Sequence, residues 1–503
     1  MREGVLLGLL LLLLVGAGAV ALLGPARRGD TPRRDGDTPA PVPAPGPPHH
    51  EPVGEWAGSD TCAECHPDIR ASWGSTAHAL TVRPWSPEVV AKPFAGEVFA
   101  ARRIDHKVGP GGRMECEGPG GERDSFDVDF VIGLRRVQMF ATRMDGGRWQ
   151  VLPVFLEVPE KKWFDYTDFI FSKPEGFTVP PDSTFSWYGP HRNYNSRCGF
   201  CHTTNYRIGY DAESDTYDTT WSEGVVACES CHGPAGDHVR HWRTLATGPD
   251  PIVNPAKLDV DRANQVCAQC HAESFMVREG FRAGDDLFSF FDVAGLEDTT
   301  HLHPDGRAKE LIHSYVPNLE TRCGTIRCTQ CHDPHGRAIP GDLIRPLNDD
   351  WTCTQCHADV AGRLEEHTHH APESAGSRCV NCHMPRMVIE GGHGSVFDHT
   401  ISIPSMTNTR KFGMPNACRS CHVLEYPGWE FEHFDAWYPG ADARNHRVTL
   451  AAAIEGGRRG DEAARPALEA LLKDENPVYR AGAATWLAPA GGDARSALED
   501  PHP

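Results

Sequence analysis

Positive charge is scarce in this chain of 503 residues. It contains 49 lysines and arginines against 69 aspartates and glutamates, which gives a formal net charge of −20. This balance argues against binding to a nucleic-acid backbone, so we expect no nucleic-acid partner. Hydrophobic residues are also modest in number, at 39%, whereas the 18 cysteines and 27 histidines far exceed ordinary usage. Something other than a large aliphatic core must therefore organise the chain.

The N-terminal residues have the character of an export segment. One arginine precedes an uncharged run from Val5 to Leu23, with the small residues Ala19-Val20-Ala21 near its end. This pattern predicts a secretory signal peptide within residues 1–26. A membrane anchor is the alternative, because the run almost spans a bilayer. Either way, we expect a periplasmic or extracellular protein. Residues 27–55 are rich in proline and predict a linker without a core.

One cysteine pattern dominates the sequence. Cys-x-x-Cys-His recurs eight times and accounts for 16 of the 18 cysteines. Two thiols at this spacing can form thioethers with the two vinyl groups of one porphyrin, and the next histidine can bind the iron as proximal ligand. The sequence therefore predicts eight covalently attached haem c groups. The cysteine pairs are Cys62/Cys65, Cys198/Cys201, Cys228/Cys231, Cys267/Cys270, Cys328/Cys331, Cys353/Cys356, Cys379/Cys382 and Cys418/Cys421. The proximal histidines are His66, His202, His232, His271, His332, His357, His383 and His422.

Three other uses of these cysteines fit the pattern less well. A zinc site needs four ligands from paired knuckles and does not require a histidine after every second cysteine. A redox dithiol explains one motif but not eight, and a disulfide framework would not repeat one spacing. Eight haems within residues 62–422 would themselves form much of the core. We therefore expect a mainly α fold of short helices and extensive loops around stacked haems.

The number of histidines indicates whether the irons could all have a second protein ligand or would have a free coordination position. Removing the eight proximal histidines and two in the linker leaves 17 of the 27, enough for a second histidine on every iron. A second histidine makes an electron-transfer site, whereas an open position can bind substrate. The candidate distal ligands are His78, His238, His335, His399, one of His367, His369 and His370, and one of His303 and His313.

Several stretches resemble one family, in the same order. They include GSDTCAECHPDIRASWGSTAHA, NYNSRCGFCHTTN, CESCHGPAGDH, CTQCHDPHG and DHTISIPSMTNTRKFGMPNACRSCH. Over roughly residues 56–490 the chain is similar to exported multihaem cytochromes c related to the tetrahaem cytochrome of ammonia oxidation, which often carry a helical-repeat tail. The resemblance implies distant kinship with the hydroxylamine oxidoreductase superfamily. The Cys-x-x-Cys-Lys site that marks pentahaem nitrite reductases is missing. The resemblance also implies that the distal ligands include His78, His238, His335, His370 and His399.

The interval between Cys62 and Cys198 predicts a different unit. The stretch DSFDVDF alternates apolar and acidic residues, and Asp145-Gly146-Gly147 joins two further runs as a hairpin. We therefore expect a small antiparallel β insert at about residues 95–160 of the haem domain. Cys116 lies in this insert and, like Cys323, is outside the haem motifs. A disulfide between these two is one alternative for them.

The region after the last motif predicts helices. We expect the haem domain to cover residues 56–440, a HEAT-like helical repeat to cover 441–490, and a tail to follow at 491–503. Asn476 is suited to cap the last helix, which Pro477 begins. The repeat would pack on the haem domain or dock a partner protein.

Three functions follow from these observations as alternatives. The first is an electron carrier that passes charge between donor and acceptor proteins through mostly bis-histidine haems. The second is a multihaem oxidoreductase that acts on a small nitrogen or sulfur compound at one open haem, with the first and fourth motifs as suspects. The third is a structural redox subunit of a larger complex. The histidine supply favours the carrier, and no residue is assigned a catalytic role.

Overall fold

The fold is given by a computed structural model. It describes residues 55–101, 104–118, 121–166, 183, 186–309, 315–319, 321, 326–337, 339–388, 395–495 and 497. The predicted signal peptide or anchor, nearly all of the linker, His313 and Cys323 lie outside the described residues. Within the described part, no helix has the length and apolar character needed to cross a membrane.

Antiparallel sheets fill much of the interval between the first and second motifs. One sheet has the order β2-β3-β4-β5, and the other has the order β1-β6-β7-β9-β10, with β8 also paired to β7. The strands are β1 (Val82–Pro84), β2 (Glu97–Ala101), β3 (Ile104–Gly109), β4 (Arg113–Glu117), β5 (Arg123–Asp127), β6 (Phe130–Ile132), β7 (Val137–Arg143), β8 (Trp149–Val151), β9 (Val154–Glu157) and β10 (Lys162–Asp165).

Side-chain alternation explains how these strands pack. Val128 and Phe130, which alternate with aspartates, are only 7% and 4% exposed, so the apolar half of this stretch faces the core. Phe130 pairs with Ala141 across β6 and β7. The turn between β7 and β8 contains Gly146 and Gly147, both with φ near +70° (70° and 74°), a conformation that glycine adopts without a steric penalty.

The core of the sheet region is aromatic. Phe94 meets the rings of Phe140 and Trp163 edge-on at 5.3 and 5.4 Å between centres. Phe130 meets Tyr194 at 5.0 Å, and Tyr194 lies four residues before the second motif. The sheet core is therefore continuous with the polypeptide that carries this motif. Cys116 is a free, fully buried thiol in the same core.

The rest of the described chain alternates short helices, loops and two-stranded ribbons. The ribbons pair β11 (Tyr210–Asp211) with β12 (Thr216–Tyr217), β13 (Ser274–Met276) with β14 (Phe291–Val293), and β15 (Arg386–Val388) with β16 (Ser395–Phe397). The helices are α1 (Ser59–Ala63), α2 (Pro67–Trp73), α3 (Tyr194–Arg197), α4 (Gly199–His202), α5 (Cys228–His232), α6 (Gly236–Thr244), α7 (Val260–His271), α8 (Tyr315–Leu319), α9 (Trp351–Thr354), α10 (Ala358–Ala361), α11 (Leu364–Thr368), α12 (Cys379–His383), α13 (Met406–Phe412), α14 (Trp429–Trp437), α15 (Ala441–Arg444), α16 (His446–Arg458), α17 (Arg465–Leu471) and α18 (Pro477–Leu487).

The predicted mainly α fold is therefore wrong. Sheet spans residues 82–165 with ten described strands, a wider interval than the predicted small insert at 95–160. Ten of the 18 described helices have only four or five residues. A Cys-x-x-Cys-His motif occupies a single turn, so a chain built around many such motifs gains little helix from each of them.

The C-terminal helices α16, α17 and α18 pack on the region around the fourth motif. Leu296, which is fully buried, forms one apolar cluster with residues of all three helices. Gly482 in α18 lies so close that a Cβ there would approach the Leu296 Cβ to 2.6 Å. The Asn476 side chain accepts from the Val478 N–H and donates to the Leu319 carbonyl, both at 2.9 Å. This packing buries apolar faces of the helices within the same chain. The HEAT-like character of this region stays a prediction.

Candidate haem sites

Each motif folds as about one helical turn. In the first motif the backbone N–H of His66 donates to the Cys62 carbonyl at 2.9 Å, and in the last the N–H of His422 donates to the Cys418 carbonyl at 2.9 Å. Residues three and four positions apart lie on the same side of such a turn. Both thiols and the imidazole therefore face one space, as attachment along a porphyrin edge requires.

Six of the eight motif histidines face a second histidine from outside the motifs. The ring centres of these six pairs lie 6.0–6.5 Å apart. The pairs are His66 with His238 (6.5 Å), His271 with His78 (6.2 Å), His232 with His335 (6.1 Å), His332 with His399 (6.3 Å), His383 with His367 (6.1 Å) and His422 with His370 (6.0 Å).

This separation fits one metal ion between two imidazoles. A metal binds an imidazole nitrogen at about 2 Å, and that nitrogen lies about 1.1 Å from its own ring centre. Two rings on opposite sides of one metal therefore have centres about 6 Å apart. Rotation about the metal–nitrogen bond does not alter this distance, so the ring planes can meet at any angle. The residues present thus fit haem iron with histidine on both sides.

Burial keeps several of these rings in the metal-binding form. Desolvation lowers the pKa of His78, His232, His367, His383 and His399 below the usual histidine value. These imidazoles are therefore neutral at neutral pH, and a neutral imidazole has a lone pair free for a metal.

Two motif histidines lack such a partner among the described residues. No ring of that part of the chain lies opposite His202 in the second motif or His357 in the sixth. Nδ1 of His202 lies 2.6 Å from the Thr81 hydroxyl, and burial lowers its pKa to about 4. The first and fourth motifs were the suspects for an open iron, but the structure gives both of them a facing histidine.

The remaining candidate ligands divide differently from the prediction. One ligand was expected from the group of His367, His369 and His370, whereas the structure places both His367 and His370 opposite motif histidines. His369 stacks on Trp437 at 4.6 Å between ring centres. His303 faces no motif histidine in the described structure, and burial lowers its pKa to about 4.

Hydrogen bonds orient many of the paired rings through Nδ1. In five of them the acceptor is a backbone carbonyl oxygen at 2.6–3.0 Å. Such a bond leaves Nε2 free to face the metal and fixes the ring orientation. In His238 the acceptor is instead the Asp250 carboxylate, at 2.6 Å. Sequence reasoning missed Asp250 and Thr81, because no spacing rule connects either residue to a motif. The five carbonyl-bonded rings are His232, His332, His370, His383 and His399.

Cysteines of different motifs lie side by side. The Cys62 thiol interacts with Cys228, and this contact raises its pKa above the usual range. In the same way Cys201 interacts with Cys270, Cys267 with Cys328, and Cys379 with Cys353. Weaker charge effects link Cys331 to Cys353 and Cys382 to Cys418. The first motif is thus next to the third, the second to the fourth, the fourth to the fifth, and the fifth to eighth follow in order.

Three of the predicted attachment cysteines differ from the others in exposure. Cys65, Cys356 and Cys421 are exposed, whereas the other 13 motif cysteines are half-buried. Each exposed residue is the second cysteine of its motif, in the first, sixth and eighth motifs. The first cysteine of each of these turns lies close to a cysteine of a neighbouring motif.

The role of these three cysteines in haem attachment stays a prediction. Each of them stays on the same turn as a half-buried cysteine and a motif histidine, at the spacing that thioether formation requires. The three exposed cysteines therefore differ from the other 13 in burial and not in motif chemistry. Sequence reasoning missed this difference, because all eight motifs have the same spacing.

Two protein families match parts of the chain. The family described as "Cytochrome c554 and c-prime" matches residues 186–233, and the "Doubled CXXCH motif" matches residues 323–362. Among curated proteins, the "Multiheme cytochrome MtrA" of Shewanella baltica is 31% identical over 224 residues, which cover 40% of this chain and 56% of that protein. These matches support a multihaem c-type cytochrome. The Cys-x-x-Cys-His motifs of the chain and these relatives both support covalent attachment of haem c.

A second relative extends further along the cytochrome. The "Dissimilatory sulfite reductase MccA" of Wolinella succinogenes is 23% identical over 386 residues, which cover 66% of this chain and 51% of that protein. The chain thus spans about half the length of the curated relatives it matches. Among solved structures, the "Outer Cell Wall Cytochrome OcwA" aligns with a TM-score of 0.55 at 18% identity, over 87% of this chain and 99% of that one. That likeness supports a shared fold of mixed helix and sheet.

Proposed function

We propose that this multihaem cytochrome is an exported electron carrier with eight haems, most of them held between two histidines. It would pass electrons along the chain of haems from a donor protein to an acceptor protein. Haem c supplies a reversible one-electron change at its iron, and the protein controls ligands, burial and spacing.

The observation that carries this proposal is the set of six histidine pairs. Each pair joins a motif histidine to a non-motif histidine, and each non-motif histidine was a candidate from the sequence. Two histidines on one iron leave no position for a substrate, so such a site exchanges electrons only. Carbonyl acceptors at Nδ1 support this role, because they hold the rings in place while the charge of the site changes.

The neighbouring cysteines support a continuous path. Each motif cysteine would be bonded to the edge of a porphyrin, so two thiols in contact bring two porphyrin edges close together. The contact between Cys62 and Cys228 relates the first site to the third, and that between Cys267 and Cys328 relates the fourth to the fifth. A charge effect of Cys270 on Cys231 relates the third site to the fourth. Electrons would thus pass from the first site through the third and fourth to the eighth.

The relatives support electron transfer outside the cytoplasm. One similar structure is named as an outer cell wall cytochrome, and a periplasmic or extracellular site also agrees with the export segment predicted at residues 1–26. The partners would be redox proteins, with the N-terminal run as a membrane anchor in the alternative case. The C-terminal helices would brace the region around the fourth haem, because their apolar faces are buried against it.

A second function is favoured by His202 and His357. Neither ring faces another ring among the described residues, so the second or sixth haem would have an open iron. The second site is the better candidate, because it adjoins the fourth through Cys201 and Cys270 and could draw electrons from the path. A relative is named as a sulfite reductase, so a small sulfur compound is one substrate class for this alternative, and a small nitrogen compound is another.

One set of measurements separates the two functions. The purified protein is titrated for haem, weighed intact, and examined by EPR and absorption with and without carbon monoxide or cyanide. Eight haems, all low-spin and inert to both ligands, would support the carrier and overturn the enzyme alternative. A high-spin haem that binds carbon monoxide and is lost in His202→Ala would favour a reaction at the second haem. A predominance of high-spin haem would contradict both the pairing and the carrier.

A further inference from the structure

The hydrogen bond on His238 differs in kind from those on five other paired rings. Its Nδ1 lies 2.6 Å from Oδ1 of Asp250, a carboxylate, where five other rings donate to a backbone carbonyl. Asp333 lies 3.6 Å from Nδ1 of the paired ring His335, which is too far for a hydrogen bond.

Asp250 is itself held in place. Its Oδ2 accepts from the Trp242 indole N–H at 3.1 Å, and its Oδ1 also accepts from the Ile252 backbone N–H at 3.2 Å. The side chains of His238 and Asp250 are 19% and 32% exposed, so water reaches this pair only in part. Two further donors therefore fix the carboxylate in an orientation that faces the ring.

A carboxylate changes a ligand imidazole more than a carbonyl does. It attracts the Nδ1 proton strongly, so electron density on the ring rises and Nε2 becomes a stronger donor. A stronger donor, together with the nearby negative charge, stabilises the oxidised metal over the reduced one. The expected effect is a lower reduction potential at the iron that His238 binds.

We propose that Asp250 is a positioning residue that makes the haem of the first motif more reducing than it would be with a neutral partner on His238. This inference rests on the proposed function, in which His66 and His238 hold that haem. The first motif is at one end of the cysteine path, next to the third. A strongly reducing haem at an end of the path is suited to accept electrons from a donor and pass them downhill.

The test is a spectroelectrochemical titration of the full-length holoprotein with Asp250→Asn. The amide keeps the shape but removes the charge, so one component of the titration should shift to a more positive potential while the others stay. Trp242→Phe removes a donor that competes for the carboxylate, so the same component should shift in the opposite direction. Asp250→Glu keeps a carboxylate, so the reduction potential of this component should stay closer to the wild-type value than it does in Asp250→Asn.

A matched control is available in the same chain. Asp298 lies 2.6 Å from Nδ1 of His301, the same kind of contact on a ring outside the six pairs. Asp298→Asn should leave every potential unchanged. His238→Ala tests the proposed function separately, because it should convert one low-spin haem to high-spin. If His238→Ala does so while Asp250→Asn and Trp242→Phe move no potential, the role of Asp250 is refuted and the carrier stands. If His238→Ala leaves all haems low-spin, the pairing itself is wrong.

Discussion

The pairing of His78 with His271 makes a spectroscopic prediction because of the angle between the rings. Their planes meet at 80°, whereas the planes of the other five pairs meet at 8–45°. Each imidazole interacts through its π system with one of two iron d orbitals. Parallel rings act on the same orbital and split the two in energy, whereas perpendicular rings act on both and leave them nearly equal. When the two d orbitals are nearly equal in energy, the low-spin iron gives an EPR signal of very large g anisotropy.

The expected spectrum of the oxidised protein therefore contains one strongly anisotropic species. It should amount to about one sixth of the bis-histidine signal, since one of the six pairs has perpendicular rings. In the proposed pairing His78 is the second ligand of the haem at the fourth motif, so this species should disappear in His78→Ala. One high-spin haem that binds carbon monoxide should replace it. Low-temperature EPR with spin quantitation, together with carbon monoxide difference spectra, measures both changes.

A nearby histidine outside the six pairs provides the control. His241 meets Trp242 edge-on at 5.5 Å, and its replacement by alanine should leave the EPR spectrum unchanged. Persistence of the anisotropic species in His78→Ala would refute the assignment. Loss of a weakly anisotropic species would show instead that His78 binds iron but that the ring angle is not the one described.

Three further predictions concern stability. Leu296→Ala should lower the free energy of unfolding by about 2–5 kcal/mol, because Leu296 is fully buried against the C-terminal helices. Leu424→Ala, at a side chain 97% exposed, should change it by less than about 0.5 kcal/mol. Thermal unfolding monitored by circular dichroism compares the two variants, and equal effects would contradict the packing. Glu229→Gln should lower the free energy of unfolding by about 1–3 kcal/mol, because the buried Glu229 carboxylate accepts from three backbone N–H groups, among them that of Gly58 at 2.9 Å, and an amide nitrogen cannot accept. Denaturant titration measures this loss, and an unchanged midpoint would argue against these hydrogen bonds. Burial lowers the pKa of His303 to about 4, so this histidine gains a proton in the unfolded chain before it does so in the folded one as the pH falls below 6.5. The free energy of unfolding should therefore fall by about 3 kcal/mol between neutral pH and pH 4. His303→Gln should flatten this pH profile, and a profile identical to the wild type would exclude His303 as its source.

The sequence predicts which residue types form the sites, but it does not predict how the histidines pair. Motif spacing is local chemistry, so it directly predicts which cysteines form thioethers and which histidines are proximal ligands. His78 follows the first motif along the chain, yet it faces the histidine of the fourth. His335 follows the fifth and faces the histidine of the third. Such pairings depend on how distant segments pack, and no period or spacing in the sequence records that.

The error in fold class has a related cause. The predicted haem stack made short helices and loops the expected outcome for most of the haem domain, and strands were expected only around Phe126 and the following hairpin. The predicted interval began too late because strand β1 has only three residues, too few to show an alternation with a period of two. Tertiary pairing with β6 makes Val82 part of a sheet, and this contact was not visible in its local sequence.

The crossed pairing has a consequence for folding, if the proposed ligands are correct. The first haem would need His238, which follows the third motif, and the fourth would need His78, which follows the first. Neither site could be completed until the segments of several motifs had come together. Haem attachment and chain packing would then be coupled, since binding to a site that the unfolded chain lacks contributes directly to folding free energy. Loss of His78 should therefore weaken the fourth site and also the packing between the segments of the first and fourth motifs.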